Sequence, residues 1–435
     1  MTAVAVPTKK KAPFYGWRIV GLGFLNNFMA VGVGTYAFAV LIKPMTEDPS
    51  LGWTRTQVVW AFTITIIVST LTAPLVGSWL DTRHGARLFA VFMGITGALG
   101  IALASAAQNL WNLYLFIGII AAIFLHDPPF MLTSTTVCKW FVKRRGMVLT
   151  ISSMGISVGG LVFLPFTRAL VNSVGWRDTW LILGIIVAAI IVPANALIMR
   201  SKPEDMGLRT DGDEAPPPRP PEPLSTPRAS EAEPTWTLRT AMKTGPFWML
   251  LVANNLSLAG LIGTVVNQVA YLDDELPNSS LADGAVLVFV IFSLVGKLPW
   301  TVLADRTNPK FTTIAMQLLC GTGMILLVNV NVPLAFAYAV VFGLGIGGFD
   351  PLISLLWANY FGRTFLGVIR GFITATNVVS FAGAPLFASF MFDTTGDYRN
   401  AFLIFAVAFF TGAALLIMVR KPKAPEPEPE LAVSS

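Results

Sequence analysis

The sequence predicts an all-α membrane protein of twelve transmembrane helices, arranged as two six-helix bundles related by a parallel pseudo-two-fold repeat. Three observations carry this prediction: the composition, the number of long apolar runs, and matched landmarks in the two halves of the chain. The chain has 435 residues, of which 54% are hydrophobic and 12% are charged. An ordinary soluble domain is about 25% charged, so the composition indicates a chain that lies largely in lipid.

Long apolar runs occur twelve times, and a run of about 18 residues or more is typical of a membrane-spanning helix. They lie near residues 17–43, 55–79, 87–107, 111–137, 147–171 and 176–199, and then 247–271, 281–303, 311–330, 333–359, 366–391 and 399–419. The Pro-rich stretch between the sixth and seventh runs is too polar to bury a core, which predicts a flexible linker. The predicted domains are an N-terminal bundle (1–200), a cytoplasmic linker (201–244), a C-terminal bundle (245–420) and a disordered cytoplasmic tail (421–435).

Basic residues predict the orientation of the chain in the lipid bilayer. With the N-terminus inside, most of the 30 lysines and arginines fall in the predicted inner segments, as the positive-inside rule requires. Both termini are then cytoplasmic, and the first apolar run lacks the short pattern of a cleaved signal peptide. Such basic loops fit a bacterial inner membrane or a eukaryotic plasma membrane, and we expect the bacterial inner membrane.

The two halves share landmarks at offsets of 222 to 228 residues, which predicts an internal duplication. The pair Asn26-Asn27 in the first run matches Asn254-Asn255 in the seventh, and Asp81 after the second run matches Asp305 after the eighth. The turn Gly175-Trp176-Arg177 matches Asp397-Tyr398-Arg399, each before the last run of its half. A parallel repeat of this kind is typical of carriers whose substrate site lies near the midplane, between the two halves.

The same observations exclude several other classes of protein. The net charge of +6 comes from inner loops, so we expect no nucleic-acid partner. The two cysteines have no disulfide or metal-ligand spacing, and we expect no metal, no cofactor and no catalytic residues. The expected partners are the lipid bilayer and a small substrate, and we expect one chain to function as a monomer.

Lys297 is an ionisable residue deep in the eighth run, eight positions before Asp305. That separation corresponds to ~12 Å along a helix, which is well inside a hydrocarbon core about 30 Å thick. A lysine at this depth either snorkels to the interface or has a function, and intramembrane ionisable residues are usually functional. We therefore expect Lys297 to bind an anion.

Three further ionisable residues lie deep in the fourth and tenth runs: His126, Asp127 and Asp350. A carrier coupled to protons needs such a group, because burial moves the titration of an acid toward neutral pH. The alternative is a structural hydrogen bond or a helix break at the adjoining prolines. Amide side chains that either line a cavity or join helices are Asn26, Asn27, Asn254, Asn255 and Asn377.

The turn after the second run, GSWLDTRHGAR, resembles the Gly-x-x-x-Asp-Arg-x-Gly-x-Arg signature of the major facilitator superfamily. This sequence has one extra residue between Asp81 and Gly85. The resemblance implies a charge relay that gates the cytoplasmic face. The expected gating residues lie in three segments. Asp81 and Arg83 lie in this turn, Asp305 and Arg306 lie in its repeat in the second half, TVLADRTNPK, and Arg144 lies in the basic hinge after the fourth run.

Within that superfamily the sequence resembles the monocarboxylate and oxalate/formate porter branch. The motifs are Tyr15-Gly16-Trp17-Arg18, Tyr36-Ala37-Phe38, Lys43-Pro44, Gly52-Trp53-Thr54-Arg55 and Trp140-Phe141. The branch usually has a carboxylate-binding arginine at the place of Lys297, and animal lactate carriers have a lysine at the place of Tyr36. The resemblance therefore implies that Lys297 binds a carboxylate and that Tyr36 contributes a hydrogen bond.

The predicted function is secondary active transport of a small organic anion, a monocarboxylate taken up with protons by alternating access. An anion exchanger or a proton-driven exporter on the same fold is the alternative, and a non-transporting receptor is disfavoured because no sizeable soluble domain is present. A remote alternative is an intramembrane serine hydrolase, since Ser157 lies in a G-x-S-x-G pattern. That motif needs a strand-to-helix turn, whereas here it lies inside a predicted helix.

Overall fold

The computed structural model describes residues 14–80, 85–141, 145–212, 236–361 and 366–422. No strand occurs in these residues, and helices account for nearly all of them. In this part of the chain, eight helices are long and apolar enough to cross a membrane by length and composition. One of the eight is 52 residues long and forms two spans, and the remaining spans are shorter or interrupted. The all-α, twelve-span prediction is confirmed.

The first half contains six spans, several of them built from more than one segment. Its elements are α1 (Gly16–Val31), a π-helical segment (Gly32–Ala37), α2 (Phe38–Thr46), α3 (Arg55–Leu80), α4 (Gly85–Leu103) with a 3-10 turn (Ala104–Ala106), α5 (Leu110–Leu113), a second π-helical segment (Tyr114–Ile120), α6 (Ala122–Leu125), α7 (Asp127–Trp140) and α8 (Arg145–Ile198).

The second half repeats this plan after a connection of which residues 213–235 are not described. Two 3-10 turns (Pro203–Met206 and Thr210–Gly212) precede that gap, and α9 (Leu238–Met242) follows it. The spans are α10 (Gly245–Glu275), α11 (Ser279–Arg306), α12 (Pro309–Val328), α13 (Val332–Gly347), α14 (Phe349–Phe361), α15 (Leu366–Thr395) and α16 (Arg399–Met418). Trp236 is buried against Phe361, so ordered packing begins nine residues before the predicted bundle boundary at 245.

The fifth and sixth spans are continuous in α8 except at Gly175, whose φ of 80° and ψ of 172° are not helical. Gly396 has a φ of 78° at the equivalent place before α16. Backbone with positive φ favours glycine because it has no Cβ. The structural repeat therefore matches Gly175 with Gly396, one residue earlier than the Asp397 that the sequence comparison paired with it.

The fourth and tenth spans are not the continuous helices that the apolar runs predicted. The fourth breaks at His126 (φ −135°, ψ −122°), and α7 then begins with Asp127-Pro128-Pro129. Proline cannot donate a backbone hydrogen bond and clashes with the preceding turn, so the break follows from the Pro-Pro pair. The tenth span is interrupted for one residue at Gly348, between α13 and α14, where the backbone angles (φ −83°, ψ −10°) stay in the right-handed helical region. The helix break that was predicted as an alternative from the adjoining prolines is therefore present in the fourth span.

Close helix packing accounts for the small residues of α8. A Cβ added at Gly159 would lie 2.5 Å from the carbonyl oxygen of Phe28, and one at Gly155 would contact that of Phe24. Only glycine allows the backbones of α1 and α8 to approach this closely. In the second half, a Cβ at Gly347 would lie 2.5 Å from the carbonyl oxygen of Ser293, which brings the end of α13 against α11.

Among the described residues, the strongest contacts between the two halves are those of α2 with α10, α3 with α15, and α8 with α11. At the middle of the molecule, Thr63 of α3 donates a hydrogen bond of 3.0 Å to the carbonyl oxygen of Ala382 in α15. The buried cores also cross between the halves, since Val266 and Ala382 belong to the first-half core, and Tyr36 and Leu164 belong to the second-half core.

Candidate functional site

A cavity of about 360 Å³ lies between the two halves of the molecule. Most of its wall is apolar, with phenylalanine rings from both halves. The polar side chains in the described part of its wall are Asn27, Thr35, Tyr36, His126, Ser157, Ser293 and Lys297. Both broken spans reach it, through His126 and through Gly347 and Phe349. Interrupted helices in corresponding positions of two repeats typically mark a carrier's binding site.

Lys297 lies in the wall of this cavity, as a functional role requires. It is nine residues from the end of α11 at Arg306, or ~14 Å along the helix, and it is partly exposed. Phe289, Ser293 and Lys297 line the cavity at successive intervals of four residues, so they share one face of α11. Among the described residues of the wall, Lys297 is the only lysine or arginine.

Tyr36 lies in the cavity wall within the first π-helical segment. An extra residue in a helical turn shifts the direction of the side chains around it, and such segments are frequent at functional sites. The tyrosine ring lies against Gly160 of α8, where an added Cβ would be 2.5 Å from its Cζ. Ser157, one turn before Gly160, also lines the cavity.

His126 lies at the break of the fourth span, with its ring between aromatic rings of the two halves. Its centroid is 5.9 Å from that of Phe62 in α3 and 5.3 Å from that of Phe381 in α15, both in edge-to-face geometry. The helix break directs this side chain into the cavity wall. The histidine is therefore in contact with both halves of the molecule.

Two asparagines of α1 have different surroundings. Asn27 lines the cavity, and its Nδ2 donates a hydrogen bond of 3.1 Å to the carbonyl oxygen of Ser152. Asn26 is fully buried and is not in the cavity wall: it exchanges side-chain hydrogen bonds of 3.1 and 2.9 Å with Asn195 of α8. Asn26 therefore joins two helices, which is the second of the two roles predicted for these amides.

The three asparagines of the second half also join helices and are outside the described cavity wall. Asn254 of α10 donates a hydrogen bond of 2.8 Å to Asn377 of α15. Asn255 accepts one of 2.9 Å from Ser380. A direct substrate contact by these three residues stays a prediction without geometric support in this structure.

Several predicted coupling and gating residues fall outside the described part of the structure. Asp127 begins α7 and Asp350 lies in α14, but the side chains of both lie outside the described residues, as does that of Asp305 in α11. The backbone positions of Asp81, Arg83 and Arg144 are also outside it. Arg306 is described and is exposed at the end of α11.

An ion-pair cluster that sequence reasoning missed joins the two halves where α2 and α10 end. Its cations belong to the first half and its carboxylates to the second: Lys43, Arg55 and Arg168 with Asp273, Asp274 and Asp283. Nitrogen–oxygen distances are 2.9 Å for Lys43–Asp274, 2.7 Å for Arg55–Asp274 and 2.6 Å for Arg168–Asp273. The sequence signal was the segregation of these charges, cations at span ends of one half and an Asp-Asp pair in the other.

A further carboxylate, Asp393 of α15, caps the start of α3 in the other half. Its two oxygens accept hydrogen bonds from the backbone N–H groups of Arg55 (3.2 Å) and Thr56 (2.9 Å). A carboxylate at a helix N-terminus satisfies free donors and interacts favourably with the helix dipole. Asp393 therefore adds another contact between the two halves beside the ion-pair cluster.

Two six-helix halves around a central cavity are the architecture of a membrane transporter. The chain belongs to the Major Facilitator Superfamily, whose family model matches residues 23–272 and 260–434. It is a transport protein and not an enzyme, and helix α8 runs without a break through the G-x-S-x-G pattern at 155–159.

Curated relatives include transporters from animals and from a bacterium. The chain is 25% identical over 411 residues to monocarboxylate transporter 13 of Bos taurus, covering 93% of this chain and 89% of the relative. It is 26% identical over 424 residues to monocarboxylate transporter 11 of Homo sapiens, with 93% and 82% coverage. An uncharacterized MFS-type transporter of Escherichia coli, YhjX, is 24% identical over 325 residues, with 73% and 74% coverage.

Among solved structures, a crystal structure of the nucleoside transporter NupG matches this fold. The TM-score is 0.70 at 14% sequence identity, and the match covers 93% of this chain and 99% of that chain. At this identity the likeness concerns the fold alone.

Proposed function

We propose that this transporter carries a small monocarboxylate across the membrane together with a proton, by alternating access. The observation that carries the proposal is the position of Lys297, a cationic side chain in the wall of the cavity between the halves. In a largely apolar cavity an ammonium group attracts a carboxylate more strongly than in water, because the surroundings screen charges poorly. The relatives named monocarboxylate transporters support the same class of substrate.

The proton is carried by His126, Asp127 or Asp350, which lie at the breaks of the two interrupted spans. His126 contacts aromatic rings of both halves, so a change in its charge acts on the contact between them. The driving force is the proton gradient without a cofactor, and one chain is the functional unit because each chain contains a cavity of its own.

The ion-pair cluster lies on the outer side of the membrane in this proposal. The basic inner loops place both termini in the cytoplasm, and the ends of α2 and α10 are then outside. The substrate reaches Lys297 from outside when the cluster separates, and it leaves toward the cytoplasm when the cluster forms. The compartment proposed is a bacterial inner membrane.

Uptake by proteoliposomes tests the proposal with three variants. Lys297→Ala is expected to abolish uptake of a monocarboxylate driven by a pH gradient, while Lys297→Arg retains binding because the positive charge remains. Lys202→Ala removes an exposed lysine outside the bundles and should transport like the wild type. Normal uptake by Lys297→Ala would contradict the proposed binding residue.

The same vesicles distinguish the mode of transport. Uptake that stops when the pH gradient is collapsed supports proton coupling. Uptake that is insensitive to the gradient but stimulated by internal anion would show exchange instead.

A further inference from the structure

Three hydroxyl groups in the described part of the cavity wall have no hydrogen bond to another described residue: those of Thr35, Tyr36 and Ser157. Thr35 is half-buried, whereas Tyr36 is 7% exposed and Ser157 is 5% exposed. Burying a hydroxyl without a partner is unfavourable, so hydroxyls that turn toward a cavity bond to what occupies it. Tyr36 and Ser157 lie in the wall of the first half, whereas Lys297 lies in that of the second.

The side chains of Tyr36 and Ser157 lie at the same stretch of α8. The ring of Tyr36 lies on Gly160, and the contact involves Cζ, the ring carbon that carries the hydroxyl. Ser157 precedes Gly160 by three residues, so it lies on the same face of α8. The π-helical segment that contains Tyr36 aims the ring at this face. Two elements, α8 and the π-helical segment, thus position one pair of hydrogen-bonding groups.

The hydroxyl pair and Lys297 are at different depths in the molecule. Lys297 is ~14 Å along α11 from its end at Arg306, and 157–160 is ~18–22 Å along α8 from its start at Arg145. These two helix ends are on the same side in the repeat, so the hydroxyl pair is roughly 5–9 Å further from that side. A ligand that contacts both is an elongated molecule.

Much of the remaining cavity wall is apolar. Leu258, Leu261, Ile262 and Val265 of α10 line it, with the ring of Phe289 from α11. The cavity volume of about 360 Å³ is more than twice that of an apolar cavity of about 150 Å³ that holds benzene. A ring-sized apolar group therefore has both room and a matching surface here.

We propose that Tyr36 and Ser157 form a second polar subsite, and that the substrate is a monocarboxylate with a ring-sized apolar body and an uncharged hydrogen-bonding group at its far end. The inference rests on the proposed function, since Lys297 binds the carboxylate end. The far group is uncharged because the hydroxyl pair offers hydrogen bonds but no cation, and a second buried carboxylate would lack compensation.

Calorimetric titration of the purified protein with three acids tests the subsite: propionate, 3-phenylpropionate and 3-(4-hydroxyphenyl)propionate. The phenyl group should tighten binding at least about tenfold through buried apolar area. The hydroxyl should add about three- to tenfold more. Tyr36→Phe and Ser157→Ala should each shrink the ratio between the last two acids. The matched control is Ser153→Ala, one turn earlier on α8, whose hydroxyl bonds to Thr150, and it should leave that ratio unchanged.

Two results would overturn the subsite: equal affinity for propionate and 3-phenylpropionate, or a hydroxyl effect that both variants leave intact. The proposed function fails in a different way. Its failure would appear as no binding of any of the three acids, or as affinities that Lys297→Ala leaves unchanged.

Discussion

Arg55 of the first half lies 2.7 Å from Asp274 of the second half, although 219 positions separate them in the chain. The guanidinium carbon is also 3.8 Å from the centroid of the Phe392 ring, a cation–π contact. The other oxygen of Asp274 is 2.9 Å from Lys43. A single carboxylate therefore compensates two cations, one of them 6% exposed.

Asp274→Asn should weaken the closure between α2, α3 and α10. The substitution leaves the buried guanidinium of Arg55 without its carboxylate, and breaking a buried pair costs several kcal/mol. Since Asp274 is itself partly exposed, we expect a loss of about 1–3 kcal/mol. A lower thermal unfolding midpoint and faster hydrogen exchange in 38–46 and 268–276 would show it.

Glu47→Gln is the matched control, because Glu47 is an exposed carboxylate that is 3.9 Å from the same lysine, Lys43. An exposed pair of this kind contributes at most about 0.5 kcal/mol, so the midpoint should hardly move. Equal effects of the two substitutions would show that the ion-pair cluster does not hold the halves together.

Gly160→Ala should displace the ring of Tyr36 from its contact with α8. An added methyl would lie 2.5 Å from Cζ, and overpacking of this kind costs about 1–3 kcal/mol. The affinity for 3-(4-hydroxyphenyl)propionate should fall about three- to tenfold as the phenolic hydroxyl moves. Titration calorimetry and a thermal melt measure the two effects.

Gly21→Ala provides the comparison, since an added Cβ there meets nothing within 4 Å. Replacing glycine by alanine in a helix is neutral to stabilising by up to about 1 kcal/mol. An affinity loss as large in Gly21→Ala as in Gly160→Ala would mean that the Tyr36 contact is not its cause.

Asn26→Ala should lower stability more than it lowers substrate affinity. The substitution removes the partner of the buried Asn195 amide, and an unsatisfied buried amide costs about 1–3 kcal/mol. The dissociation constant of the carboxylate should change less than about threefold, because Asn26 is outside the cavity wall. A large affinity loss with an unchanged unfolding midpoint would instead support direct substrate binding by Asn26.

His126→Gln should uncouple transport from the proton gradient. Glutamine keeps hydrogen-bonding groups but cannot take up a proton, whereas an imidazole can. Exchange of labelled substrate without a gradient should continue, and accumulation driven by the gradient should stop. If accumulation persists in His126→Gln but stops in Asp127→Asn or Asp350→Asn, the proton is carried by that aspartate.

The cavity position of Lys297 was predictable because a helix has a fixed rise per residue, so counting from Asp305 gives the depth of a side chain. The two broken spans were partly predictable for a similar reason, since Pro128 and Pro129 restrict the backbone in a known way. Gly348 gave no comparable signal, because glycine also serves close packing, as it does at Gly159.

The roles of the asparagines were less predictable, because an amide serves a cavity and a helix contact equally well. Asn27 and Asn26 are adjacent in sequence, yet one lines the cavity and the other bonds to Asn195. The difference is set by the rotation of α1 about its axis. The π-helical segment Gly32–Ala37 then adds one residue to a turn of the same span, which changes the direction of the Tyr36 side chain. No residue pattern in the sequence predicted this segment.

The ion-pair cluster has cations on one half only and carboxylates on the other. In the proposed transport the halves separate here, which leaves Arg55 and Arg168 on the first half and Asp273, Asp274 and Asp283 on the second, with Glu47 beside Lys43 on α2. An anion would then be attracted by the arginines of the first half and repelled by the aspartates of the second. On this proposal, raising the ionic strength should slow the approach of the anion from this side.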